Sequence, residues 1–152
     1  SGVAPVVDLR AAGVHVGLGV DGSSSADSAS LWLEARQAML LAKLRNGASA
    51  GTARMALELA TLGGAACLGR QGELGELTPG AVGDVAVWRL TGPTFAGAVA
   101  DPIEAWLRCG PVAAHHTIVH GAPVVRDGAM VSPRVDELLA AHDHLSRRLQ
   151  RL

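Results

Sequence analysis

One carboxylate stands out by its place in the sequence. Asp21 directly follows an apolar, glycine-bearing stretch at residues 14–20 and precedes a serine-rich turn. The nearly continuous hydrophobic run predicts a strand that is covered on both faces. Because α/β barrels place catalytic groups at the carboxyl ends of their parallel strands, we predict that Asp21 is a catalytic residue. The plain alternative is a turn residue, since Asp-Gly is a common turn pair.

The same stretch carries a weak nucleotide-binding pattern. Residues 17–22 match GxGxxG between a predicted strand and a predicted helix, as in dinucleotide-binding folds. That fingerprint also requires an acidic residue at the end of a second strand about 20 residues further on. The corresponding region is predicted to be helical and contains Lys43 and Arg45. A dinucleotide-binding domain is therefore an alternative that the sequence disfavours.

The histidines do not form an obvious metal site around Asp21. Adjacent histidines on a strand point to opposite faces, and histidines two positions apart on a helix lie about 200° apart. His15 would lie about 20 Å from Asp21 along an extended strand. We therefore expect every histidine to be structural or solvated, and the other members of the site to lie on sequence outside this chain. The histidines are His15, His115, His116, His120, His142 and His144.

Composition excludes several classes of protein. Hydrophobic residues make up 49% of the 152 residues and aromatic residues only 3%, so small aliphatic side chains must fill the core. The net charge of −1 gives no basic footprint for nucleic acid, and no apolar run approaches the roughly 20 residues of a membrane span. We expect Cys67 and Cys109 to be buried thiols in a reducing, cytoplasmic compartment. The N-terminus lacks the features of a signal peptide and suggests a cut from a longer chain.

The predicted elements alternate between helices and strands and change character near Arg70. Ser25 or Asp27 is expected to cap the second helix, and Thr52 the third. The predicted helices cover residues 5–12, 26–45, 53–67, 103–109 and 135–152, and the predicted strands cover residues 14–20, 84–88, 117–120 and 123–126.

Three motifs occur in a characteristic order. They are VGLGVDGSSS at residues 16–25, ATLGGAACLG at residues 60–69 and GELGELTPGAVGDVAV at residues 72–87. In order and spacing they resemble the C-terminal third of the amidohydrolase superfamily, in particular its cytosine- and guanine-deaminase-like metal-dependent hydrolases. Weaker cues, such as VHGAPVVRDG at residues 119–128, are most similar to 8-oxoguanine deaminases and their triazine-hydrolase relatives.

The resemblance implies an α/β fold, namely the C-terminal fragment of a (β/α)8 barrel plus part of a small β-sandwich. Residues 1–69 would supply the last strand of the barrel with its flanking helices. Residues 70–152 would supply a segment of the sandwich and a C-terminal helix. A complete barrel needs about 250 residues, so this chain would hold only part of one.

The resemblance also implies a metal-dependent hydrolase that deaminates a purine-like or triazine heterocycle. One divalent metal, zinc or iron, would be bound by histidines outside this chain and by Asp21, which would also take a proton from the attacking water. Substrate-binding residues stay unassigned. The implied partner is a small heterocyclic substrate, without nucleic acid or membrane, in a homo-oligomer. A non-catalytic truncated piece or interaction module is the alternative.

Overall fold

The protein consists of short helices and one small sheet. A computed structural model describes residues 2–22, 24–26 and 28–151. The helices are α1 (Val6–Ala11), α2 (Leu31–Asn46), α3 (Ala53–Glu58), α4 (Gly64–Cys67), α5 (Pro102–Cys109) and α6 (Val135–Leu149), and the strands are β1 (Val85–Val87), β2 (His116–Val119), β3 (Ala122–Arg126) and β4 (Ala129–Met130). A π-helical turn (Leu59–Gly63) joins α3 to α4, and a 3-10 turn covers Pro93–Phe95.

The chain divides into two compact units. The helical unit comprises Ser1–Val82 and Arg89–Val112, and the sheet unit comprises Gly83–Trp88 and Ala113–Leu152. The architecture is therefore α/β, with a four-stranded antiparallel sheet in the order β1-β2-β3-β4. Within the described ranges, no helix has both the length and the apolar character needed to cross a membrane.

The core of the helical unit is made mainly of small side chains. It forms where α2, α3 and α5 pack against one another. Half of its members are alanines, which let helices approach closely. In α2 the buried residues Ala35, Met39 and Ala42 recur at helical spacing. The buried hydrophobic residues are Ala35, Met39, Ala42, Ala53, Met55, Ala56, Leu59, Ala65, Phe95, Ala105, Trp106 and Leu107.

Residues 14–20, predicted to form a strand, pair with no strand among the described residues. The segment is held by helices instead. The Val14 amide donates to the Leu9 carbonyl at 3.0 Å, and the Leu18 amide donates to the Leu59 carbonyl at 3.3 Å. Val16 and Leu18 pack against the core of the helical unit.

Helix α2 begins later than predicted. Its N-cap is Ser30, whose hydroxyl accepts from the Leu33 amide at 3.4 Å. Ser25, one of the two predicted caps, instead donates its hydroxyl to the Gly22 carbonyl at 3.3 Å. The other predicted cap, Asp27, lies outside the described residues. Several serines in a row offer equivalent caps, so the sequence alone did not select the right one.

Helix α3 begins as predicted, and a glycine then brings it against the segment that leads to Asp21. The Thr52 hydroxyl caps α3 by accepting from the Met55 amide at 3.0 Å. At the end of the π-helical turn, a Cβ placed on Gly63 would lie only 2.1 Å from the Val16 carbonyl oxygen. No side chain fits there, because the backbones of the helix and the segment are in direct contact at this point.

Helix α5 is fixed by a cap and by an aromatic contact. The Asp101 carboxylate accepts from the Glu104 amide at 3.0 Å, and Pro102 opens the helix. The rings of Trp32 and Trp106 meet edge to face with centroids 6.3 Å apart. The Trp32 indole also donates to the Trp106 carbonyl at 3.2 Å. The two contacts between Trp32 and Trp106 join α2 to α5.

The sheet unit is an antiparallel meander. β1 pairs with β2, β2 pairs with β3, and β3 pairs with β4. The predicted strands and the hairpin between β2 and β3 are confirmed, but β4 was not predicted, because two residues are too few to show a hydrophobic alternation. Helix α6 follows as predicted and contains no buried residue.

Candidate functional site

Asp21 has an unusual backbone conformation. Its φ angle is +59°, in the left-handed region that aspartate and asparagine tolerate better than most residues. The short side chain turns back onto the chain, and its Oδ1 accepts from the Gly22 amide at 2.7 Å. The hydrogen-bonded turn begins one residue later, where the Ser25 amide donates to the Gly22 carbonyl at 3.0 Å. The exposed carboxylate of Asp21 therefore lies directly before this turn, at the end of the apolar segment.

The surroundings of Asp21 favour its charged form. The Gly22 amide, and after it the Ser25 hydroxyl, lower the pKa of Asp21 below its ordinary value, while slight burial opposes them weakly. A hydroxyl has one proton, so Ser25 serves either the Asp21 carboxylate or the Gly22 carbonyl, whereas the Gly22 amide is a constant partner. Asp21 is therefore ionised at neutral pH, as a metal ligand must be.

A surface depression of about 400 Å³ opens beside Asp21. Hydroxyl, carboxylate and amide groups surround it, which suits a small polar ligand. No histidine belongs to its lining within the described residues, so Asp21 is its main candidate metal ligand, with Glu34 the other carboxylate. The lining residues are Gly19, Val20, Asp21, Ser25, Ala26, Ser28, Leu33, Glu34 and Gln37.

A second groove, also of about 400 Å³, contains His15 and the start of the apolar segment. Two of its charged groups, Arg10 and Glu58, form an ion pair at 2.8 Å. The two depressions share no lining residue. This arrangement fits the expectation that His15 lies away from Asp21, and no catalytic pairing is evident in the groove.

The expectation that the adjacent histidines His115 and His116 point to opposite faces is wrong. The rings of His115 and His116 lie on the same side, with centroids 4.3 Å apart, and both approach the carboxylate of Asp127. The reason is that His115 lies in a bend just before β2, so the alternation of a regular strand does not apply to it. Asp127 was not considered from the sequence, although the Asp-Gly pair at residues 127–128 indicates a tight hairpin turn that could return a carboxylate to the start of β2.

The remaining candidates are dispersed. The Asp84 carboxylate accepts from the His120 amide at 2.6 Å, which holds the turn after β2. His142 and His144 lie exposed on α6. Cys109 is partly buried, but Cys67 is exposed, contrary to the expectation of a buried thiol. Cys67 ends α4, where the chain turns toward solvent. Within the helical unit, neither cysteine lines the depression beside Asp21.

Comparison with known proteins identifies the family of this chain. The amidohydrolase family matches residues 1–124. The chain belongs to the amidohydrolase family. The resemblance inferred from the three motifs is thereby confirmed. The dinucleotide-binding alternative loses its basis, since α2 begins only at Leu31 and not at the glycine-rich turn.

Several amidohydrolases match nearly all of the chain. An 8-oxoguanine deaminase from Pseudomonas aeruginosa is 45% identical over 142 residues, which are 93% of this chain and 31% of the relative. A 5-methylthioadenosine/S-adenosylhomocysteine deaminase from Desulforudis audaxviator is 35% identical over 98% of this chain and 35% of its own length. The crystal structure of an atrazine chlorohydrolase from Arthrobacter aurescens, complexed with zinc, matches 95% of this chain and 32% of its own, with 32% identity and a TM-score of 0.87. The chain spans about a third of the length of these relatives.

Proposed function

We propose that this amidohydrolase chain provides the Asp21 carboxylate to a zinc-dependent aminohydrolase. The reaction is the hydrolytic release of ammonia from an amino-substituted purine-like or triazine heterocycle, with 8-oxoguanine as the first candidate. The supporting observation is the exposed, ionised carboxylate of Asp21 at the end of the apolar segment, facing an open polar depression. The identity to an 8-oxoguanine deaminase supports the choice of substrate.

The chain's role in the fold is also a proposal. We infer that residues 14–20 become the last strand of a (β/α)8 barrel once neighbouring strands are present. The apolar character of both faces supports this. The backbone pairing also supports it. The Val14 and Leu18 amides donate to helix carbonyls, and the segment is not paired with a strand among the described residues, so neighbouring barrel strands could pair with it. The four-stranded sheet would then be part of a β-sandwich.

The residues present fit one ligand position of a zinc site. An ionised aspartate oxygen is a normal zinc ligand, and Asp21 is exposed and held by its own turn. When bound, zinc would lower the pKa of a coordinated water toward neutrality, which would make that water a nucleophile at neutral pH. A catalytic zinc site generally needs three protein ligands. The remaining ligands would come from outside this chain.

Asp21 would act as the proton carrier. Its carboxylate accepts a proton from the attacking water and delivers it to the departing amino group, which leaves as ammonia. At neutral pH the Asp21 carboxylate carries no proton and can therefore accept one. The Gly22 amide holds the carboxylate in place during both transfers. The Ser25 hydroxyl, which can turn between two acceptors, can follow the change of charge on Asp21.

A chimera tests this proposal. Residues 1–152 would replace the matching segment of the Pseudomonas 8-oxoguanine deaminase, and ammonia release from 8-oxoguanine, guanine and a triazine would be measured together with zinc content. We expect turnover of at least one of these substrates. Asp21→Asn should lower turnover by about 10²–10⁴-fold, the usual loss when a general base is removed. Asparagine keeps the size and tolerates the left-handed backbone.

The matched control is His142→Ala, which changes an exposed residue of α6 and should leave turnover unchanged. A folded, zinc-loaded chimera without turnover of any of the three heterocycles would contradict the proposed activity and favour a non-catalytic role. A zinc-loaded Asp21→Asn chimera that retains most of its turnover would contradict the proton-carrier role. We further propose a homo-oligomer for the complete enzyme, which sedimentation of the active chimera would test.

A further inference from the structure

We propose that His115, His116 and Asp127 form a binding site for a divalent transition-metal ion of the zinc type. The site belongs to the sheet unit and uses none of the residues around Asp21. It is therefore independent of the proposed deaminase activity. Its basis is the convergence of three metal-binding side chains at the start of β2.

The distances are close to those of a metal site. Ligand atoms of the three residues all lie within 4.8 Å of one another. The Nε2 atoms of His115 and His116 lie 3.5 and 3.9 Å from the same atom, Oδ1 of Asp127. Around tetrahedral zinc, with bonds of about 2.0–2.2 Å, neighbouring ligand atoms are about 3.4 Å apart. Small side-chain rotations would therefore bring the three atoms to coordination distance.

The backbone holds the carboxylate at the histidines. Asp127 and Gly128 form the turn between β3 and β4, with φ angles of +51° and +81°. The Gly128 amide donates to the His115 carbonyl at 2.9 Å. This bond ties the tip of the hairpin to the first histidine. Because the turn and not a flexible loop positions Asp127, little ordering is needed when a metal binds.

The arrangement exceeds what an ordinary ion pair requires. One histidine suffices to pair with a carboxylate, but here two rings direct Nε2 at one oxygen. The His115 side chain is 20% exposed and the Asp127 side chain is 73% exposed, so the cluster has a protected side and an open side. Water can occupy the fourth position. Two imidazoles and one carboxylate favour zinc, cobalt, nickel or copper over magnesium or calcium.

Metal binding would change one hydrogen bond. The Asp127 amide now donates to Nδ1 of His116 at 3.4 Å, a long and weak contact. When a neutral histidine binds metal through Nε2, its proton lies on Nδ1, which then no longer accepts. The amide would exchange this contact for water. The amide resonance of Asp127 is therefore a local reporter of metal binding.

The test is calorimetric titration of the tag-free 152-residue chain with Zn²⁺. We expect one zinc per chain. The variants Asp127→Asn and His116→Gln should each weaken binding by at least about tenfold, since even the loss of a ligand's hydrogen-bond partner commonly costs that much. Asparagine retains the turn conformation at residue 127, and circular dichroism would verify that both variants fold. The matched control is His142→Gln, which changes an exposed histidine of α6 and should bind zinc as the unchanged chain does.

Nuclear magnetic resonance locates the metal independently. Zinc should shift the ring signals of His115 and His116 and the amide signal of Asp127, and leave those of His142 and His144 in place. The proposal is overturned by a folded chain that binds no zinc in stoichiometric amount, or by unchanged affinity in both Asp127→Asn and His116→Gln. If Asp21→Asn alone abolished zinc binding, the zinc site would belong to the helical unit and the proposal would be overturned.

Discussion

The helical unit and the sheet unit are stabilised in different ways. Every buried hydrophobic side chain of the described residues lies in the helical unit. In the sheet unit, order comes from strand pairing and tight turns, and α6 buries none of its residues. Burial of apolar surface is the main favourable term in folding. The helical unit therefore has a core of its own, whereas the sheet unit needs a covering partner to gain comparable stability.

The difference also concerns tolerance to substitution. The helices of one unit meet through alanine and glycine, so an added methyl group has no space at some positions. Side chains of the sheet unit are at least partly exposed throughout the described residues. Mutations should therefore affect the two units unequally. One pair of variants tests this difference directly, and two further pairs test the contacts that stabilise the helical unit.

The largest expected effect compares the same substitution in two helices. Leu107→Ala removes a side chain of α5 that is 0% exposed, and should lower the free energy of unfolding by about 2–5 kcal/mol because it leaves a cavity. Leu139→Ala removes a side chain of α6 that is 62% exposed, and should change it by about 0.5 kcal/mol or less. Urea denaturation followed by circular dichroism measures both. Equal losses would show that α6 is buried in solution and would break the comparison.

A smaller effect compares two adjacent glycines of the helical unit. Gly63→Ala places a methyl group against the Val16 carbonyl and should cost about 1–3 kcal/mol through overpacking. A Cβ on Gly64 would meet nothing within 4 Å, so Gly64→Ala should stabilise the helix by up to about 1 kcal/mol. Thermal denaturation of the two variants gives the comparison. If both variants behave alike, the close contact between helix and segment does not exist in solution.

The smallest effect is a pH dependence confined to the helical unit. The Ala53 amide donates to the Glu104 carboxylate at 3.0 Å. This bond lowers the pKa of Glu104 below its ordinary value of 4.5; partial burial opposes the effect, and Arg108 adds to it. A lowered pKa gives stability that is present above the unfolded pKa and is lost as the pH falls through the folded pKa. Glu104→Gln should therefore cost about 1 kcal/mol at neutral pH and progressively less below pH 4.5.

Denaturation curves collected between neutral and acid pH would measure this effect. Arg108→Gln serves as the matched control, because it removes the ion pair of Glu104 and leaves the bond to Ala53 intact. The control should reduce the pH dependence only in part. A Glu104→Gln variant with the same acid sensitivity as the unchanged chain would contradict the assignment.

Local sequence signals predicted the elements that depend on local interactions. Thr52 was recognised as a cap, and the buried positions of α2 followed from their helical spacing. Strand pairing is not local, so the sequence could not show that residues 14–20 lack a partner among the described residues. The π-helical turn at Leu59–Gly63 also escaped prediction, since the sequence predicts one continuous helix over residues 53–67. The domain boundary near Arg70 stays a prediction.

The candidate site was predictable only in part. The order of residues alone indicated that Asp21 lies at the end of an apolar segment and directly before a turn. The grouping of His115 and His116 with Asp127 did not, because it needs a bend before β2 and a hairpin that returns the chain to the same place. The alternation of faces applies to regular strands, whereas His115 lies in a bend and Asp127 lies in a turn.

The left-handed backbone at Asp21 restricts which acids this position can hold. Such a conformation costs most side chains of order 1–3 kcal/mol. Aspartate is favoured because its short side chain can bond the neighbouring amide, as it does with Gly22. Glutamate offers the same functional group but is one methylene too long to make that bond in the same way. The fold thus discriminates between two chemically equivalent carboxylates before any substrate arrives, and Asp21→Glu should be disfavoured on conformational grounds alone.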